Sequence, residues 1–190
     1  MAPDLTVVTT AVAVPFVAAV LTPLLYRVLG ERTGYAGALV AAASFGLLAT
    51  QVDSHGTVGS PWVPALDVGL QFTVDGWGLL FALLASGIGV LVFAYSAQYM
   101  HGEDGLARYY AALLAFMGSI LGVALASDLV FVFLFWELTS LCSFVLIGHH
   151  TDDAESRYSA RMAMVVTVGG GLCLLAGLLA LSVAARGALG

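Results

Sequence analysis

Residues 129–148 read LVFVFLFWELTSLCSFVLIG, an apolar run interrupted near its middle by one ionisable side chain, Glu137. Roughly 20 such residues are what a helix needs to cross a bilayer. A charged group at the centre of a membrane helix is unfavourable by about 2.5–3.5 kcal/mol on insertion scales. It persists where it faces protein or water instead of lipid, so ion or proton handling is the first reading of Glu137. The plain alternative is a protonated or hydrogen-bonded glutamate that ties two helices together.

The rest of the chain supports a membrane setting. Hydrophobic residues make up 61% and charged residues 9% of the 190, with a mean hydropathy of +1.00. Soluble domains carry about 25% charged residues. The net charge of -6 comes from loops, lysine is absent, and the six cations are Arg27, Arg32, Arg108, Arg157, Arg161 and Arg186. No basic cluster points to nucleic acid. Cys142 and Cys173 lie in apolar runs and read as small buried hydrophobes. No metal-ligand spacing, nucleotide loop or hydrolytic constellation is present, so neither a metal nor a cofactor is expected. The N-terminus MAPDLTVV lacks the positive segment of a secretory signal and reads as the start of a retained span.

Hydropathy predicts an all-α polytopic protein of one domain, residues 1–190, with six spans near 5–29, 35–51, 77–99, 109–126, 129–149 and 162–185. Pro15 and Pro23 fall inside the first. A kink is expected there and not a break, because neighbouring helices can re-satisfy the carbonyls that proline frees. Only Ala-Ser-Asp separates the fourth and fifth spans, enough for a tight helical hairpin. Five arginines fall in the first, third and fifth loops and one, Arg186, on the other side. Positive residues favour the cytoplasm, which puts the N-terminus outside. In the second loop, Val68, Leu70, Phe72 and Val74 alternate with other residues, the period of a half-buried strand. A short external β-hairpin is expected, with Trp62, flanked by Pro61 and Pro64, and Trp77 near the interface. An irregular acidic loop is the competing reading.

Helical spacing sets Glu137 beside Phe133, Leu134, Ser140 and Leu141. Thr139, Ser140 and Ser143 make this side partly polar, suited either to a proton path or to bonding a neighbouring helix. A carboxyl that alternates between an apolar surround and a nearby cation can take up and release a proton. No Lys or Arg lies inside a span to act as that cation. His149 and His150 end the fifth span and titrate near neutral pH, so they are candidates for supporting proton uptake, against the reading of a solvated pair. Asp128 and Asp75 read as N-caps. Arg157 and Arg161 read as topology anchors able to fold toward a carboxylate. Gly118, Gly122, Gly169, Gly170, Gly171 and Gly177 suit close helix packing.

These motifs are familiar as a set. FWELTSLCSFVLIG, residues 135–148, resembles the fifth-helix signature of the antiporter-like subunits shared by respiratory complex I and Mrp-type multisubunit cation/proton antiporters. FTVDGWGLLFALL, VFAYSAQYM, the run from Arg108 to Ser140, and SARMAMVVTVGGGLCLLAGL follow the same pattern, which is nearest to the N-terminal part of Mrp-type A subunits. The resemblance implies a bundle of roughly fourteen helices containing two inverted repeats, each with a broken helix. It also implies that a fifth-helix glutamate, matched by Glu137, pairs with a lysine on the seventh helix. This sequence stops after six spans, so the expectation is a truncated product or one piece of a split subunit. Other antiporter subunits, including a chain that supplies the later helices, are the implied partners in the cell membrane. The implied activity is exchange of Na+ or another monovalent cation for H+, a transporter component and not an enzyme. Two rivals stay open: a proton-pumping subunit of a complex I-like or hydrogenase-like redox complex, and a structural or assembly subunit without ion traffic of its own.

Overall fold

The computed structural model describes residues 2–63 and 68–188; the side chains of 60–63, 68–69 and 185–188 lie outside that description. Six α-helices and one hairpin follow in order: α1 (Leu5–Leu29), α2 (Thr33–Ala49), β1 (Gly56–Val63), β2 (Val68–Val74), α3 (Gly76–Tyr99), α4 (Leu106–Leu125), α5 (Leu129–Ile147) and α6 (Ala154–Ala188). A single 3-10 turn, Gly30–Arg32, joins α1 to α2.

The expected count of six spans needs adjustment. Among the described residues, five helical segments are long and apolar enough to cross a membrane, and the first is the 45-residue stretch Leu5–Ala49. Straight, that stretch would reach about 68 Å, more than twice a hydrocarbon core of about 30 Å. It folds back at Gly30–Arg32 instead, so that α2 packs against α1. The 17 residues of α2 rise only about 25 Å, marginal for a span by themselves. Two boundaries also move upstream of the hydropathic runs: α4 starts at Leu106, which is buried beside Arg108, and α6 at Ala154, where polar residues extend the helix beyond its apolar part.

Pro15 sits inside an unbroken α1. A proline cannot donate to the carbonyl four residues back, which here is Ala11. Ser44 of α2 donates its hydroxyl to that Ala11 carbonyl at 3.0 Å. The neighbouring helix thus satisfies the group that proline freed, as expected for a membrane helix.

Helix α1 packs on α2 and α4, α2 on α3, α4 on α5, and α5 on α6. One buried cluster, with Val8, Leu48, Leu79 and Leu125, lies at the hairpin end of the bundle. A second, with Phe93, Met100, Leu106 and Tyr110, lies at the other. Phe72 and Val74 join the first cluster, each 1% exposed, while Gln71 beside them on the strand is exposed. The alternation read from the sequence is therefore a real strand whose apolar face covers the helix ends. Its antiparallel pairing runs from Gly56 opposite Val74 to Val63 opposite Val68. Ser127 N–H donates to the Gln71 carbonyl at 3.1 Å, tying β2 to the α4–α5 turn. The expectations for Pro61, Trp62, Pro64 and Arg186 concern side chains outside the described residues. Trp77 is exposed at the start of α3.

Large apolar side chains cover the outside, among them Val20, Leu39, Leu91 and Val165. A continuous apolar exterior of this kind suits hydrocarbon, where association rests on close packing and hydrogen bonds.

Candidate functional site

Asp128 starts α5 as its sequence position suggests. Its carboxylate accepts from the N–H groups of Val130 at 2.9 Å and Phe131 at 3.2 Å, capping the first turn. Asp75 caps α3 in the same way through Gly78 N–H at 2.6 Å.

Further along α5, Phe135 lies against Gly122 of α4 and stacks with Phe16 of α1, ring centroids 6.2 Å apart. Phe16 in turn lies over Gly118. The GxxxG of α4 is therefore a groove for two aromatic rings, one from each neighbouring helix. This contact sets the rotation of α5, which turns Glu137 to its opposite side, toward α6.

There the carboxylate meets Gly171. A Cβ at Gly171 would collide with Glu137 Oε1 and crowd its carboxyl carbon. Gly171 is buried while its neighbours Gly170 and Leu172 are exposed. Glu137 is half-buried, and its Oε1 is fully enclosed with no hydrogen-bond partner among the described residues. Of the glycine run, Gly169 and Gly170 have open space at the Cβ position, so only Gly171 answers to the carboxylate.

The hydroxyls expected to flank Glu137 are turned elsewhere. Thr139 Oγ1 donates to the Trp136 carbonyl at 2.6 Å, and Ser140 Oγ donates to the same carbonyl at 3.5 Å. They keep free lone pairs but spend their protons on their own helix.

The two histidines are not at this site. Ile147, the last residue of α5, is already about 15 Å along the axis from Glu137. The solvated pair is also half wrong: His149 is only 8% exposed, whereas His150 is exposed. The α5–α6 connection folds His149 under Tyr109, edge to face with centroids 5.3 Å apart, while Arg108 donates to the His149 carbonyl at 2.7 Å. Both His149 ring nitrogens lack partners among the described residues. Burial, then His150 and Arg108, push its pKa below the ordinary range, with Glu103 pulling the other way. His150 lies 3.8 Å from Glu103, and both line a cavity of about 590 Å³ with His149, Asp104 and Asp152. No group of three metal-ligating side chains gathers among the described residues.

Arg157 and Arg161 do not fold toward Glu137. They stay near the start of α6, where Arg157 donates to the Thr151 carbonyl at 2.6 Å. The structural feature that sequence reasoning missed is the pairing of Glu137 with Gly171. The glycine run signalled close packing, but nothing in it said which residue would meet which.

Two family models match the chain. Residues 62–110 match the N-terminus of chain 5 of NADH-ubiquinone oxidoreductase (complex I), and residues 126–188 match the transmembrane region of NADH:quinone oxidoreductase and Mrp antiporters. The second match contains both Glu137 and Gly171. This chain belongs to the complex I and Mrp antiporter membrane-subunit family. Among its relatives in that family, the A1 subunit of a Na(+)/H(+) antiporter of Staphylococcus aureus is 38% identical over 179 residues, covering 91% of this chain and 22% of the relative. The A/B subunit of a probable K(+)/H(+) antiporter of Rhizobium meliloti is 43% identical over 144 residues, covering 76% of this chain and 14% of the relative. A chain in the structure of the Mrp complex from Dietzia sp. DQ12-45-1b superposes with a TM-score of 0.78 at 36% identity, covering 89% of this chain and 18% of that one. The antiporter-family fold is therefore shared across nearly all of this chain, which spans about a fifth of the length of such relatives.

Proposed function

We propose that this chain is the N-terminal portion of an Mrp-type A subunit, in a multisubunit antiporter that exchanges a monovalent cation for protons. Glu137 is its proton-carrying residue. The observation that carries this reading is the enclosed Glu137 Oε1, without a hydrogen-bond partner among the described residues, in the middle of a membrane-length helix and set against a glycine that leaves it room. A buried carboxyl without a fixed partner can gain or lose a proton as a cation approaches or withdraws. That cation comes from later helices, supplied by another stretch of protein, and other antiporter subunits complete the path. Ser140 and Thr139, whose hydroxyls bond the Trp136 carbonyl, support the path through their oxygen lone pairs alone, and His149 and His150 serve uptake from the aqueous side. The five-to-one arginine asymmetry supports an outside N-terminus and, with it, a cytoplasmic His149 end. Sodium is the first candidate for the exchanged ion; the named relatives divide between Na(+) and K(+).

The test is cation-dependent proton flux in vesicles that carry the assembled complex. Glu137→Ala should abolish it while the subunits still assemble; unchanged antiport would remove Glu137 from the mechanism. A silent Glu137→Gln would favour a static interhelical tie. The match of residues 62–110 to complex I chain 5 favours a second reading, a redox-driven proton pump. Copurification with iron–sulfur subunits would decide for that reading.

A further inference from the structure

Three of the six arginines in this lysine-free chain, Arg108, Arg157 and Arg161, line one cavity of about 300 Å³ where α4, α5 and α6 meet. Among the described residues none of the three guanidinium groups makes a salt bridge. Their hydrogen bonds go to backbone carbonyls: Arg108 to His149 at 2.7 Å, Arg157 to Thr151 at 2.6 Å, and Arg161 to Arg157 at 3.2 Å. A guanidinium has five N–H donors, so most of this donor capacity is uncommitted.

The nearby carboxylates face another way. Glu103, Asp104, Asp152 and Asp153 line the adjoining cavity, with Arg108 in the wall between the two. Asp153 feels the charge of Arg157, but its oxygens accept from the N–H groups of Glu155 at 3.3 Å and Ser156 at 2.9 Å. Among the described residues, three arginines and no carboxylate line this cavity, and none of the three makes a salt bridge.

Its other wall is apolar. Phe144 and Val145 from the last turns of α5, and Ala160 from α6, lie beside the arginines. The cavity sits where the apolar part of α5 ends and α6 begins, at the level where a span meets headgroups. An inorganic anion would use the guanidinium groups alone; an amphiphile would use both walls. Basic pockets between membrane helices are suited to anionic headgroups, and arginine matches phosphate through paired N–H donors.

The geometry points to a binding site for the phosphodiester headgroup of an anionic glycerophospholipid, held by Arg108, Arg157 and Arg161 with an acyl chain along Phe144, Val145 and Ala160. The proposal is independent of the role of Glu137. It is tested by native mass spectrometry of the full chain in detergent, titrated with dioleoylphosphatidylglycerol, dioleoylphosphatidylcholine or inorganic phosphate. Each arginine near a membrane surface adds about 1 kcal/mol for anionic lipid, so retention of phosphatidylglycerol should exceed that of phosphatidylcholine by about tenfold or more. The double variant Arg157→Gln/Arg161→Gln should bring the two lipids close to parity. Arg27→Gln, exposed at the end of α1 and away from the cavity, should not. Equal retention of both lipids by the unaltered chain would overturn the site, and this measurement needs no variant to fold. An unchanged preference in the double variant would also overturn it. Displacement of the lipid by millimolar phosphate would reassign the site to a free anion and end the lipid proposal.

Discussion

The carboxylate of Glu137 on α5 rests on the bare backbone of Gly171 on α6, and a single added methyl at Gly171 would occupy the space of Oε1. A half-buried ionisable group and the smallest residue are matched across a helix interface. Gly171→Ala should therefore act in two opposed ways. Alanine gains up to about 1 kcal/mol of helix propensity over glycine, while overpacking removes about 1–3 kcal/mol. The expected net result is a lower melting temperature in detergent and a loss of antiport comparable to Glu137→Ala. Gly170→Ala, with open space at its Cβ, should be neutral or stabilising. Identical behaviour of the two alanine variants would show that Gly171 does not constrain the carboxylate.

Ser44 supplies the hydrogen bond that Pro15 denies to Ala11. Ser44→Ala leaves that buried carbonyl unsatisfied and should destabilise the α1–α2 pair by about 1–3 kcal/mol. In the Pro15→Ala background, where the helix can bond its own carbonyl, the penalty should shrink. A double-mutant cycle read by thermal unfolding checks the coupling; additive effects would mean that Ser44 does not serve the proline.

The hairpin is secured by Phe72, 1% exposed among the ends of α1, α2, α3 and α4. Phe72→Ala should lower stability by about 3–5 kcal/mol. Gln71→Ala, one residue away on the exposed face, should change it by less than about 0.5 kcal/mol. Limited proteolysis in the second loop gives the same contrast, with cleavage enhanced in the first variant only.

Acid should loosen the α5–α6 corner in two separate windows. Burial, His150 and Arg108 hold the pKa of His149 below its ordinary 6.5, so the unfolded chain binds a proton that the folded chain refuses. Stability is then undiminished above about pH 6.5 and falls as pH drops from there toward the lowered folded value. The pKa of Asp153 is also lowered, by the N–H groups of Ser156 and Glu155. As a carboxylate it contributes above its ordinary 3.8 and loses that contribution as pH falls through its folded value. His149→Gln should flatten the upper window of the melting-temperature profile and leave the lower; Asp153→Asn should do the reverse.

Much of this was legible in the chain. Apolar runs of membrane length located the helices, and Asp75 and Asp128 marked two starts, because a side chain that caps an N-terminus acts within three residues of its own position. Phe72 and Val74 were legible for the same reason: strand alternation is local. The boundaries of α4 and α6 were not, since an arginine in each first turn, Arg108 and Arg157, lowers the local hydropathy although the helix runs through it. His149 was read as solvated because two histidines after an apolar run look like a helix end in water; Tyr109 and Arg108, some 40 residues earlier, bury it.

By itself the sequence determined that this is a bundle of apolar helices with one carboxyl deep inside α5, because composition and period alone set what hydrocarbon will accept. Only the tertiary structure decided that Phe135 turns α5 against the α4 groove, and that Glu137 consequently meets Gly171. Those outcomes depend on shape complementarity between segments far apart in the chain. A helix with apolar residues on nearly every side carries no periodic mark of which face its neighbour will take.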